Sequence, residues 1–136
     1  MPKENSVIQI YATATQDNAA SIDVPDDGLL LSSSLIVEGV LNADTEEVLA
    51  SLEFGATPAR NTNDSRTVLN VAHAKIGLLT SGAATNIAQS TVLYGDGIKV
   101  FGGERLYLHT EAVGGTLQSA RALLVFNFAS FVARRR

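Results

Sequence analysis

The chain has no cysteine and no tryptophan, three prolines, two histidines and few aromatics (6%). Without cysteine there is no disulfide framework, thiolate metal site or cysteine nucleophile, and the redox compartment is left undetermined. Charge is sparse as well: charged residues are 18% of the chain, below the usual quarter for soluble domains. The net charge of −4 gives no overall reason to bind nucleic acid or an anionic membrane. Apolar runs stay far below the roughly 18 residues of a membrane span. The opening Met1-Pro-Lys-Glu-Asn has no apolar run behind it, so no secretory signal is expected.

What is present is hydrophobicity, 46% of 136 residues, enough for one domain (1–136) with a real core. Two-residue periodicity dominates. In "SVIQIYATATQ" (6–16), Ile8, Ile10, Ala12 and Ala14 oppose Gln9, Tyr11, Thr13 and Thr15, the pattern of a half-buried strand. Residues 1–16 therefore read as an N-terminal arm or a first strand. "ASIDV" (20–24) is a short strand before the turn Pro25-Asp26-Asp27-Gly28. Residues 29–42 read as a long strand, bent at Ser32–Ser34 or at Gly39.

Segment 43–55 is ambiguous. Asp44-x-x-Glu47 fits a helix cap, whereas Val48, Ala50, Leu52 and Phe54 make one strand face. The β surroundings favour the strand. Residues 56–66 are a polar loop, 67–79 a strand, 80–86 a loop and 87–94 a strand. Gly95-Asp96-Gly97 reads as a tight turn, and further strands follow at 98–112 and 119–130, with a bulge at Gly102-Gly103. About eight strands with turn signals between them predict an all-β, antiparallel β-sandwich, a jelly roll rather than an immunoglobulin form.

No catalytic motif is visible. Arg105, Tyr107, His109 and Glu111 share one strand face, which can be a binding stripe or simply a solvated one pairing charges across strands. A metal site would require His73 to meet His109, and nothing in the sequence enforces that. The acids beside Gly and Pro read as turn formers, without the spacing of a calcium loop. "GDGIKVFGG" puts a strand where a nucleotide fingerprint needs a helix N-terminus. No cofactor, no metal and no enzyme activity are expected. Arg134, Arg135 and Arg136, in the basic tail 132–136, read as a solvated terminus or as a contact to an acidic partner; nucleic acid is the weaker option.

The last strand is unusual. Ala120, Ala122, Leu124, Phe126 and Phe128 form one face, and Leu123, Val125 and Phe131 lie on the other. An antiparallel sandwich normally alternates apolar-in and polar-out, so a strand apolar on both faces needs a second cover. Closed homo-oligomers are the common solution. The expected subunit-interface residues are Leu123, Val125, Phe126, Phe128 and Phe131.

Residues 91–128, with "LEFGATPARNTNDSR" (52–66), resemble small jelly-roll structural proteins of tailed bacteriophages, the capsid decoration or cement proteins among them. "GERLYL" (103–108) is also similar to a strand of trimeric C1q/TNF-like domains. The resemblance implies a virion structural protein, made in the host cytoplasm, that sits as a homotrimer on the outer capsid surface and clamps the major capsid protein. Arg105, Tyr107, His109 and the arginine tail are then the candidate capsid or ligand contacts. The alternative it leaves open is a trimeric receptor- or carbohydrate-binding module of a phage tail or fibre.

Overall fold

The computed structural model describes residues 5–13, 16–55, 67–76 and 85–128. They form eight strands: β1 (Ser6–Ala12), β2 (Gln16–Asp23), β3 (Gly28–Val40), β4 (Glu47–Gly55), β5 (Thr67–Lys75), β6 (Thr85–Val100), β7 (Arg105–Val113) and β8 (Thr116–Asn127). They make two four-stranded sheets, ordered β1-β8-β3-β6 and β2-β7-β4-β5, with every pairing antiparallel. First pairs with last, second with seventh, third with sixth and fourth with fifth, as in a long hairpin wrapped into a sandwich. That is the jelly roll, and it explains why the two halves of the chain share one core.

Alternation builds that core. Leu35, Val37, Ala122, Leu124 and Phe126 of the first sheet face Val48, Ala50, Leu52, Leu106 and Leu108 of the second, and all are buried. The inward set of 43–55 is the strand face read from the sequence. Asp44 lies in a turn rather than at a helix cap: Glu46 N–H donates to the Ala43 carbonyl (3.0 Å), and Asn42 N–H to Glu46 Oε1 (2.8 Å). β3 breaks register at both suspected places, between Leu30 and Ser32 and, against β8, between Glu38 and Gly39.

Two glycine readings are corrected. Gly95-Asp96-Gly97 does not separate two strands; β6 runs through it. Leu93 pairs with Ser32 and Ile98 with Leu30, so Tyr94–Gly97 is a wide bulge opposite the single residue Leu31. Its positive φ at Gly95 (62°) and Gly97 (104°) is the backbone signal that turns and bulges share. The change of sheet comes instead at Gly102-Gly103, where Gly103 N–H donates to the Val24 carbonyl (2.9 Å) and Gly102 N–H to Asp27 Oδ1 (2.8 Å).

A polar group inside the sandwich ties the sheets together. Asn70 of β5 points inward and is buried. Its Nδ2 donates to the carbonyls of Ser33 (3.0 Å) and Ser90 (3.1 Å) and lies 3.2 Å from Ser33 Oγ, while its Oδ1 accepts from Ser90 Oγ (2.7 Å). Tyr94 extends the group, 2.7 Å from Ser33 Oγ and donating to the Leu69 carbonyl (3.2 Å). Burial raises the Tyr94 phenol above its ordinary value, outweighing the opposite pull of the Ser33 hydrogen bond. A raised folded-state value means that the folded form holds its proton longer than the unfolded chain. The contribution is therefore complete below the ordinary phenol value near 10 and fades as pH climbs through the higher folded one. Urea midpoints of the wild type should fall above about pH 10. Tyr94→Phe should flatten part of that fall; identical alkaline limbs would show that Tyr94 is not its source.

Candidate assembly face

The strand that prompted the question of a second cover, β8, lies second from the edge of its sheet, between β1 and β3. Its face is set by register. Ala122 sits opposite Ile10 and Leu35, and Leu124 opposite Ile8 and Ser33, all inward; Leu123 and Val125 then project outward. The outward rows across the sheet begin Asn127–Leu29–Lys99, Val7–Val125–Ser32–Leu93 and Gln9–Leu123–Ser34–Thr91. They continue Tyr11–Arg121–Ile36–Gln89 and Ser119–Glu38–Ile87.

Arg121, Glu38 and the exposed Lys99 carry the charge in these rows, and the Glu38 carboxylate accepts a bond from Ser119 Oγ (2.9 Å). Leu93 is 78% exposed and Val7 64%, with Tyr11 and Ile87 about half exposed. Leu123, Val125 and Ile36 fill the middle, half-buried. Single exposed apolar residues are ordinary on any surface, but a contiguous set spanning four strands is the mark of an interaction surface.

Among the predicted interface residues, Leu123 and Val125 lie on this face. Phe126 does not: it is fully buried in the core of its own chain, stacked on Phe128 with ring centroids 5.1 Å apart. Phe128 is partly buried against the same core. Both belong to the inner face because the pleat sends alternate side chains to opposite sides. Phe131, Arg134, Arg135 and Arg136 lie outside the described residues, as do 56–66 and 80–84. Of the segment read as arm or strand, Ser6–Ala12 is β1.

The stripe Arg105–Tyr107–His109–Glu111 does share one face, the outer side of the second sheet, with Leu106, Leu108 and Thr110 inward. Its middle is nevertheless poorly accessible. Tyr107 is 2% exposed and the His109 side chain 13%, beside the buried Ser51 and Glu53. Ser51 Oγ donates to Glu53 Oε2 at 2.9 Å. Arg105 donates to Asp23 Oδ1 at 2.7 Å, and that hydrogen bond raises the guanidinium still further above its ordinary value. His73 and His109 are two strands apart on this face, each beside a different carboxylate: Glu47 at 2.7 Å and Glu111 at 3.5 Å. Among the described residues, no group of three or more potential metal ligands gathers.

Ile87, Leu93, Ile36, Val7 and Tyr11 did not stand out in the sequence as site residues. Their alternation was visible, but only the register shows that they line up with Leu123 and Val125.

No protein-family model and no curated protein matches the chain. Among solved structures the chain is similar to Eiger TNF from S. frugiperda, with a TM-score of 0.50 at 12% identity, over 87% of this chain and 83% of that one. At that identity the likeness is one of fold, and it agrees with the jelly-roll β-sandwich given by the strand order.

Proposed function

We propose that this protein works by assembling rather than by catalysis: a virion structural protein that associates as a homotrimer and decorates a phage capsid. The supporting observation is the sparsely charged outer face of β1-β8-β3-β6, which leaves the apolar side chains of Leu93 and Val7 in water in a lone chain. Covering such a face by copies of the same chain removes apolar area from water, at roughly 25 cal/mol for each Å². On a shell, each clamped neighbour adds interface, and binding to the assembled state alone stabilises it by mass action. The capsid setting rests on the sequence resemblance. Tyr107 is buried and the His109 side chain only 13% exposed, which counts equally against this stripe as a capsid contact and as the contact of a receptor- or glycan-binding module.

Light scattering behind a sizing column tests the trimer. The wild type should have a mass of three chains or a multiple of three. Leu93→Glu together with Val125→Glu should abolish the three-fold species with unchanged far-UV dichroism, since both side chains point out of the fold. A monomeric wild type, or a double variant that stays trimeric, overturns the reading. Sedimentation of the trimer with expanded heads of its own phage tests the setting; failure to pellet with them removes the cement role.

A further inference from the structure

A sandwich of two open sheets has four edge strands, here β1, β6, β2 and β5. An edge offers a row of backbone N–H and C=O groups to any passing strand, and folded proteins guard edges with bulges, charges or proline. Three of these edges are guarded. β6 carries the Tyr94–Gly97 bulge. β2 shifts register between Gln16 and Ala20 and ends at Asp23. β5 shifts at Leu69 and carries His73 and Lys75.

β1 has no such device. It pairs with β8 in unbroken register from Ser6 to Ala12, and its sequence SVIQIYA holds no charge, proline or glycine. Among the described residues no strand lies on its other side. Val7, Gln9 and Tyr11, on the outer face of this strand, are exposed. We infer that the free edge of β1 is a pairing site, and that its occupant is β1 of a second copy, antiparallel across a two-fold axis.

The occupant follows from self-complementarity. With the axis at Gln9, Val7 lies opposite Tyr11, Ile8 opposite Ile10 and Gln9 opposite its own copy. A β-branched residue meets an aromatic, isoleucine meets isoleucine and amide meets amide, which are favourable cross-strand pairs with no charge to repel. The pleat keeps every pair on a common face, so the apolar outer rows run on into the partner sheet. The contact uses backbone along an edge and is two-fold, so it stands whether or not the outer face assembles in threes. Where both operate, the edge would link one trimer to the next.

The lack of cysteine makes the test clean. Gln9→Cys should oxidise rapidly to a disulfide-linked dimer, because directly opposed residues of an antiparallel pair lie within the Cα separation a disulfide needs. Asp44→Cys, also exposed, in the β3–β4 turn, should lag behind it. Separately, Gln9→Lys should weaken two-fold association about tenfold through the like charges on the axis. Mixing it with Gln9→Glu should restore pairing. Gln9→Cys that oxidises no faster than Asp44→Cys, or association indifferent to both charge variants, overturns the proposal. The trimer is read separately, from Leu93→Glu with Val125→Glu, which leave the sequence of β1 unchanged.

Discussion

Phe126→Ala is expected to cost about 3–5 kcal/mol of unfolding free energy, the usual toll of emptying a fully buried aromatic site. The Phe126 side chain has no exposed surface and packs between the sheets against its stacked neighbour Phe128. The chain around it cannot collapse freely, because β8 is held by β1 on one side and β3 on the other. Against a total stability of about 5–15 kcal/mol, that loss should lower the melting temperature by roughly 10–20 °C. Val125→Ala, one residue away on the opposite side of the strand, should cost about 1 kcal/mol or less in folding and act on assembly instead. Urea titrations of both variants at one fixed low concentration make the comparison, since self-association adds apparent stability by mass action. Equal midpoints for Phe126→Ala and the wild type would mean that the phenyl ring is not in the core. A subunit contact at Phe126 would predict the reverse ranking.

The second large effect is expected at Asn70. Its amide serves the Ser33 and Ser90 carbonyls and the Ser90 hydroxyl at once, with Asn70 and Ser33 themselves buried. Asn70→Ala leaves these groups short of partners, at about 1–3 kcal/mol for each one that water cannot reach. A total loss of about 2–4 kcal/mol follows, read as a lower urea midpoint with an unchanged slope. Asn70→Asp should behave differently. A carboxylate there faces two carbonyl oxygens, so burial and repulsion both favour its protonated form, which can still donate one bond. That variant should regain stability as pH is lowered toward 4, where Asn70→Ala gains nothing comparable. If the two variants are equally unstable at every pH, the amide is not the donor to those carbonyls.

Strand identity was legible because alternation is a local property: the side chain at i+2 returns to the same face whatever the rest of the chain does. The Val48–Phe54 face, the sharing of one face by Arg105, Tyr107 and His109, and the doubly apolar character of residues 120–126 all came from that period. The absence of cysteine and the scarcity of charge were equally direct, and they excluded thiol chemistry and left a weakly charged chain. The turn at Gly95–Gly97 was misread because a hairpin turn and a bulge use the same positive-φ glycines. What separates them is whether the partner strand carries on, and here β3 pairs on both sides of the bulge.

The rest was decided in three dimensions. Periodicity says that Phe126 and Val125 point opposite ways; it cannot say which way is inward. That choice belongs to β1 and β3, over a hundred and about ninety positions earlier in the chain, whose inward residues Ile10 and Leu35 meet Ala122. Asn70, Ser33 and Ser90 form a bonded group only because β3, β5 and β6 are brought together by the wrapped hairpin. The sequence by itself determined a cysteine-free, weakly charged β chain with more apolar strand surface than one core consumes. Tertiary structure alone decided which of that surface becomes core and which remains outside, because register is a contract between distant segments and local pattern carries no record of it.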